Sequence, residues 1–250
     1  MKNPTASLLV IGDEILSGRT RESNMNFLAI ELSKVGIDLK EVRIVSDYKP
    51  AIISAVRSLS ASFDFVFTCG GIGPTHDDIT TECIAEAFNC PIEINEDARK
   101  ILEHYYRELG KKLNSARMRM ARIPKGAQLI QNSVSAAPGF SIENVHVMAG
   151  IPEVFQAMVS KILNSLKKGT PKLSRTIKFF VAESEIASLL EKLSVDYPKL
   201  SIGSYPFNIN SNFGVNIVVR GDSSELIDQF VSKLDAKIEE HDLPERKIKK

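Results

Sequence analysis

Residues 63–88, FDFVFTCGGIGPTHDDITTECIAEAF, restrict the fold more than any other part of the chain. Phe63–Thr68 is apolar, aromatic and β-branched, which is typical of a buried strand, and a helical pattern resumes after the glycines. A strand, a glycine loop and a helix start favour anion binding, because backbone amides there can donate to phosphate. Asp77 and Asp78 lie in the same loop, and carboxylates beside a phosphate favour a bridging divalent cation.

The residues before this loop alternate between strand and helix patterns. Ser7–Ile11 and Leu39–Val45 are predicted strands, and Ser23 is the predicted cap of the helix between them. Such alternation indicates parallel strands, whose carboxyl ends share one edge of the sheet. Three polar or acidic loops should therefore converge there, namely 12–18, Ser46–Asp47 and 70–80.

The sequence pattern of the second half of the chain predicts that a domain with a different architecture begins after residue 168. Helical residues 95–121 and short strands complete the first domain, and a Lys-Gly-Pro linker precedes a βαββα pattern. We predict an α/β fold over residues 1–168, a three-layer sandwich with a mostly parallel central sheet. A small α+β domain should follow over 169–244, and a basic tail over 245–250.

Composition narrows the functional classes. A net charge of +1 argues against a nucleic-acid binder that acts through bulk charge. The sequence has neither an apolar run of membrane-spanning length nor a signal-like start. Its three cysteines lack CxxC spacing, which favours reduced cysteines and no zinc site. We therefore expect a cytoplasmic protein without nucleic-acid or membrane partners.

Thr68 and the following string GGIGPTHDDIT resemble the loop of the molybdopterin-binding-like superfamily. That superfamily includes molybdenum-cofactor biosynthesis proteins and CinA-type competence/damage-inducible proteins. VIGDEILSG (Val10–Gly18) resembles the opening motif of the CinA type, and Asn24 falls where those proteins place an asparagine. Further resemblances cover 114–132, SAAPGF at 135–140, VMAGIPEVF at 147–155 and SIGSYPF at 201–207.

Departures from the CinA pattern indicate a particular branch. Ser135 and Ala136 replace the usual Gly-Thr, Ala149 and Ile151 alter the usual PGVP, and His76 stands where lysine is common. The GPTHDD, SAAPGF and MAGIP segments are most similar to the molybdopterin-binding-like domain of FAD synthases. The chain ends before the amidohydrolase domain of CinA or the FAD-forming domain of FAD synthase, so we expect neither activity.

The resemblance implies metal-dependent hydrolysis of nucleotide pyrophosphates such as ADP-ribose or FAD. Asp47 and Asp78 match acidic positions important in molybdenum-cofactor relatives; with Asp77 they are the predicted catalytic residues, and we predict that Asp47 and Asp78 bind Mg²⁺, Mn²⁺ or Co²⁺. The predicted ligand-binding residues are Gly12, Asp13, Glu14, Ser17, Gly18, Asn24, Gly70, Gly71, Ile72, Gly73, Thr75, His76, Thr80, Pro138 and Gly139.

Several alternatives remain open at this point. The same cradle suits a pterin phosphate, in molybdopterin binding with adenylyl transfer or hydrolysis, and it also suits a non-catalytic nucleotide- or pterin-binding regulator. His76 is either a proton-transfer group or a plain loop residue. Arg117, Arg119 and Arg122 favour a solvated basic face over phosphate contacts. The resemblance further implies a homo-oligomer, a dimer or a trimer.

Overall fold

The computed structural model describes residues 2–209 and 212–240, which form two compact units, Met1–Gly169 and Thr170–Lys250. The predicted tail at 245–250 and the last residues of the predicted small domain, 241–244, lie outside the described residues. Within the described part, no helix combines the length and apolar character needed to cross a membrane.

The first unit has eight strands and seven α-helices along its described residues. The strands are β1 (Thr5–Ile11), β2 (Asp38–Val45), β3 (Phe65–Cys69), β4 (Ile92–Ile94), β5 (Arg122–Pro124), β6 (Gln128–Ile130), β7 (Gly139–Ile142) and β8 (Val145–Met148). The helices are α1 (Asp13–Leu16), α2 (Asn24–Lys34), α3 (Lys49–Ser62), α4 (Thr80–Ala87), α5 (Glu96–Glu108), α6 (Ser115–Met118) and α7 (Pro152–Ile162), with a 3₁₀ turn at Arg119–Ala121.

Six strands form the central sheet, in the order β2-β1-β3-β8-β7-β6. The neighbours from β2 to β8 are parallel, whereas β7 runs antiparallel to β8 and β6. The chain leaves β1 toward β2 on one side and returns to β3 on the other. A switch point therefore lies between β1 and β3, where open α/β sheets form ligand crevices.

Helices cover both faces of this sheet. Leu9 and Ile11 of β1 pack in a cluster with buried residues of α3 and α4, while Leu8 and Val10 pack in a second cluster with residues of α2 and α7. Successive strand side chains point to opposite faces, so one strand supplies both cores. The predicted three-layer α/β fold with a mostly parallel sheet is confirmed.

The second unit contains β9 (Leu173–Phe179), α8 (Glu183–Asp196), β10 (Ser201–Ile209), β11 (Asn212–Gly221) and α9 (Ser224–Glu240). Its antiparallel sheet has the order β10-β11-β9. Ile177, Val215 and Ile217 of the sheet pack against Ile186 of α8 and Phe230 of α9. The small α+β part with βαββα order is as the sequence predicts.

His146 of β8 is a buried histidine in the first unit. The residue is only 5% exposed, the centroid of its ring lies 5.3 Å from that of Phe67, and its Nδ1 lies 2.9 Å from the Ser141 hydroxyl. Its Nε2 has no hydrogen-bond partner among the described residues. Burial lowers the pKa of His146 to about 4, so the ring stays neutral at neutral pH.

We expect this histidine to make the protein sensitive to acid. The unfolded chain takes up its proton near pH 6.5, whereas the folded chain resists until about pH 4. The stability that the neutral ring contributes is therefore fully present above pH 6.5 and is lost as the pH falls toward 4. The free energy of unfolding should fall by about 2 kcal/mol between pH 7 and pH 5. Urea denaturation at both pH values measures this difference. His146→Leu should abolish it and the exposed-site control His104→Leu should not; an equal pH dependence in both variants contradicts the assignment.

Candidate functional site

The backbone of the loop after β3 lies so close to neighbouring residues that Gly70 and Gly71 have no room for side chains. Gly70 and Gly71 have φ values of +109° and +68°. A Cβ on Gly70 would lie 2.2 Å from the Ile11 carbonyl oxygen, and one on Gly71 would lie 2.2 Å from Thr80 Oγ1. Thr80 is fully buried and its hydroxyl donates to the Gly70 carbonyl at 3.0 Å. Glycine is thus required for this turn and for its closure on α4.

The same loop presents free backbone donors. Within the described residues, the amides of Gly71, Ile72 and Gly73 donate to no protein acceptor. These residues are partly exposed. Three successive unpaired amides in a glycine loop are suited to a phosphate group, as the sequence predicts.

The Asp78 side chain forms hydrogen bonds within this loop. Its Oδ2 accepts hydrogen bonds from the Thr75 amide at 2.8 Å and from the Thr75 hydroxyl. A Cβ on Gly73 would lie 2.6 Å from the same oxygen. Asp78 therefore fixes the loop conformation through one oxygen and leaves Oδ1 for other contacts.

Asp47, two residues after the end of β2, lies beside the loop that follows β1. Its Oδ2 accepts a hydrogen bond from the Asp13 amide at 2.9 Å. Burial raises the pKa of Asp47; the Asp13 amide opposes this, and the negative charges of Asp13, Glu14 and Asp77 add to the rise. Carboxylates from the loops after β1 and β3 thus disfavour a negative charge on Asp47.

The arrangement of the acidic side chains decides how this site can hold a metal ion. Among the described residues, no group of three His, Cys, Asp or Glu side chains is arranged to hold one. Hard carboxylate oxygens are nevertheless the donors that Mg²⁺ prefers, and Mg²⁺ commonly uses one or two of them with water and substrate phosphates. Asp47 and its acidic neighbours fit that mode, since a cation would relieve their repulsion.

Asn24 connects three parts of the fold at the switch point. Its Nδ2 donates to the Gly150 carbonyl at 2.9 Å and to Cys69 Sγ at 3.0 Å. The predicted cap Ser23 makes no capping bond. Instead, the Glu22 carboxylate accepts from the Asn24 and Met25 amides at 2.7 and 3.0 Å. Ser23 thus occupies the N-cap position as predicted, but the capping bonds come from Glu22, whose longer side chain folds back onto the helix start.

A small cavity of about 70 Å³ lies against these groups. Its lining includes Glu14, Glu22, Asn24, Cys69, Gly70 and Gly150. Gly12 belongs to the same region, since a Cβ there would lie 2.6 Å from Glu14 Oε1. The cavity sits at the carboxyl ends of β1 and β3.

Other predicted ligand-binding residues lie further out or inside the sheet. Ser17 and Gly18 are exposed, and the His76 side chain is 99% exposed with Nδ1 3.9 Å from Asp77 Oδ1. Pro138 and Gly139 are buried at the start of β7. Because β7 is reversed, they nevertheless lie at the edge where the parallel strands end.

The arginines of the connecting segment are partly exposed and make specific contacts with their neighbours. Arg119 donates to the Asp78 carbonyl at 3.2 Å, and its Nε is buried without a partner among the described residues. Arg122 donates to Glu82 at 2.8 Å, and Arg117 stacks on the Tyr106 ring. The side chains of Arg119 and Arg122 are about a third exposed, so they are partly solvated as predicted, but contacts with the glycine loop and α4 also hold them in place. Arg119 is a contact of the glycine loop that sequence reasoning set aside.

Comparison with known proteins identifies the family. Residues 7–168 match a family model described as a probable molybdopterin binding domain, and residues 171–247 match one described as the middle domain of FAD synthase. A protein of Archaeoglobus fulgidus is 35% identical over 199 residues, which cover 80% of this chain and 84% of that protein. A probable FAD synthase of Caenorhabditis elegans is 29% identical over 254 residues.

That alignment covers 92% of this chain and 49% of the nematode protein, so the chain spans about half of its length. The solved structure of CinA from Thermoplasma acidophilum, a protein of unknown function, superposes with a TM-score of 0.61 at 30% identity. It covers 66% of this chain and 99% of that one. These findings confirm the resemblance inferred from the motifs. The chain belongs to the molybdopterin-binding domain family, and a segment like the middle domain of FAD synthase follows that domain.

Proposed function

We propose that this protein is a divalent-metal-dependent hydrolase of nucleotide pyrophosphates of the ADP-ribose or FAD type. One observation carries the proposal: the free amides of Gly71, Ile72 and Gly73 follow β3 and Asp47 follows β2, so both lie at the carboxyl edge of the parallel strands. Donors for a diphosphate and carboxylates for a cation thus meet at one sheet edge. A diphosphate bound there would place negative charge beside carboxylates, which a bridging cation offsets.

Each group has a distinct role in this proposal. Asp47 and Asp78 Oδ1 would bind the ion, with Asp77 beside them, and the loop amides would hold the phosphates. Thr75 and Thr80 donate to Asp78 and to the Gly70 carbonyl, so they hold the shape of the loop. When bound, the ion neutralises the diphosphate and lowers the pKa of a bound water. Gly70 and Asp78 hold the loop in place before substrate arrives, so little reorganisation is needed at the time of reaction.

Product analysis tests this proposal. Purified protein is incubated with ADP-ribose or FAD and Mg²⁺, Mn²⁺ or Co²⁺, and AMP is measured by chromatography. We expect AMP with at least one metal and none with excess EDTA. Metal-independent AMP release, or no release from either substrate under any metal, contradicts the proposal.

The family match favours a second candidate, binding of a pterin phosphate in molybdenum-cofactor synthesis. In that case the same loop holds the pterin phosphate, and the reaction is adenylyl transfer or hydrolysis of adenylated molybdopterin. Tight pterin binding without turnover of ADP-ribose or FAD would favour it. Binding without any product would indicate a regulator.

We also propose that the protein is a homo-oligomer. Ile44 of the edge strand β2 is 40% exposed, and Tyr48, three residues after the end of this strand, is 62% exposed. Exposed apolar side chains at a sheet edge favour association. Sedimentation analysis tests this, with a dimer or trimer expected and a monomer at micromolar concentration contradicting it.

A further inference from the structure

The antiparallel sheet of the second unit has one face that its helices leave open. Both helices described in this unit, α8 and α9, pack on the side of the sheet to which Ile177, Val215 and Ile217 point. Because side chains alternate between the faces of a strand, the residues between these point the other way. The open face presents Ser174, Thr176 and Lys178 of β9, Ser201, Gly203, Tyr205 and Phe207 of β10, and Gly214, Asn216, Val218 and Arg220 of β11.

Two aromatic rings of β10 lie across glycines on this open face. A Cβ on Gly203 would lie 2.9 Å from Cε2 of Tyr205, and one on Gly214 would lie 2.5 Å from Cζ of Phe207. Side chains at these two positions would therefore push the rings away from the sheet. Tyr205 is nevertheless 52% exposed. An exposed ring that lies against a sheet is a platform on which a planar group can stack.

The charges of the open face are all positive. The Nζ of Lys178 lies 4.1 Å from the centroid of the Phe207 ring and 5.0 Å from that of Phe180. Within the part of the chain that the structure describes, neither Lys178 nor Arg220 forms an ion pair with a carboxylate. None of the open-face positions holds an acidic residue. This face therefore favours a partner that is both planar and anionic.

The separation of the two cations indicates the length of that partner. Arg220 is four residues along β11 from Asn216, the register partner of Lys178, so their backbone positions lie about 14 Å apart along the sheet. Tyr205 pairs with Asn216 from the opposite side. A single nucleotide monophosphate has one phosphate and meets only one of the cations. A chain of nucleotides has bases for the ring and successive phosphates for both cations.

We propose that the open face of the second unit binds single-stranded nucleic acid. A base stacks on Tyr205, and phosphates of the same strand lie against Lys178 and Arg220. The inference goes beyond the proposed function and does not depend on it, because it involves neither the glycine loop nor Asp47. The net charge of +1 argues against binding through bulk charge, whereas this face combines a stacking ring with only two cations.

Fluorescence anisotropy on the full chain tests the proposal. The probes are labelled oligo(dT) and oligo(U) of about 8 nucleotides, within the range of known single-strand site sizes, and a DNA duplex of equal length. EDTA and excess ADP-ribose are present, so that the site in the first unit does not contribute. We expect both single strands to bind at least about 10-fold more tightly than the duplex, since paired bases offer no open face for stacking.

Variants of the same sheet separate stacking from charge. Tyr205→Ala should weaken single-strand binding about 10-fold, while Tyr205→Phe, which keeps the ring, should bind as the wild type does. Phe213→Ala is the matched control, because Phe213 is 62% exposed on the same hairpin but points to the opposite face from Gly214. It should leave binding unchanged. The slope of log K against log salt should be about −1.4 in the wild type and about −0.7 in Lys178→Ala.

Four results would overturn the proposal: no binding of either single strand, equal binding of the duplex, an effect of Phe213→Ala as large as that of Tyr205→Ala, or displacement of the oligonucleotide by an equal concentration of AMP. A Tyr205→Ala variant that changes only the sedimentation coefficient would identify a second copy as the occupant and would also overturn it. If Tyr205→Ala does not fold, Tyr205→Phe and the salt slope of Lys178→Ala decide. AMP release from ADP-ribose should be unchanged in Lys178→Ala, so the two proposals fail separately.

Discussion

Asp47→Asn is expected to reduce metal-dependent release of AMP at least about 100-fold while leaving the fold intact. The asparagine Oδ1 can still accept from the Asp13 amide, so the local hydrogen bond survives. What disappears is the charge that holds the cation. Initial rates with saturating Mn²⁺, compared with the exposed-site control Asp222→Asn, measure the effect.

The same substitution should not destabilise the metal-free protein. The pKa of Asp47 is raised in the folded state, so the folded protein is less stable when this carboxyl is ionised. The free energy of unfolding therefore falls as the pH rises through this pKa. Asparagine removes this cost, and the melting temperature at neutral pH should stay equal or rise. A variant that keeps its activity, or one that loses activity only because it unfolds, contradicts the assignment of Asp47.

Gly71→Ala is expected to destabilise the first unit by about 3 kcal/mol and to abolish nucleotide binding. A left-handed backbone costs a non-glycine residue about 1–2 kcal/mol, and forcing a methyl group into a packed site adds about 1–3 kcal/mol. The methyl group would displace Thr80, whose hydroxyl secures the Gly70 carbonyl. Urea unfolding and nucleotide titration measure the two effects.

Gly110→Ala provides a matched control for this prediction. Gly110 has φ +66°, against +68° for Gly71, but a Cβ there would meet nothing within 4 Å. Gly110→Ala should therefore cost only about 1–2 kcal/mol for the left-handed backbone and leave nucleotide binding unchanged. Equal losses of stability in the two variants would show that the close approach to Thr80 does not matter.

The local sequence pattern was sufficient to predict many of the strands, turns and helices of the first unit. The strand, glycine turn and helix around Gly70 are predictable because apolar periodicity and glycine placement act over a few residues. The parallel sheet then implied that Asp47 meets the loop after β1, and the bond from the Asp13 amide to Asp47 shows that contact. The role of each residue in chemistry remains a prediction.

Other features depend on contacts that a local pattern does not contain. The strands β4 and β5 have three residues each and pair across a separation of about thirty residues. Arg119 meets the glycine loop only because the segment after α5 folds back over α4. The choice of Glu22 over Ser23 for the capping bonds of α2 turns on a side chain folding back, which residue type alone does not decide.

The most direct test of the account is a crystal structure with Mn²⁺ and ADP-ribose or a non-hydrolysable analogue. We predict an anomalous peak about 2.1 Å from a carboxylate oxygen of Asp47, bonded also to a diphosphate whose oxygens accept from the amides of Gly71 and Gly73. A metal ion and a diphosphate bound apart from each other, or away from the ends of β1, β2 and β3, would contradict it.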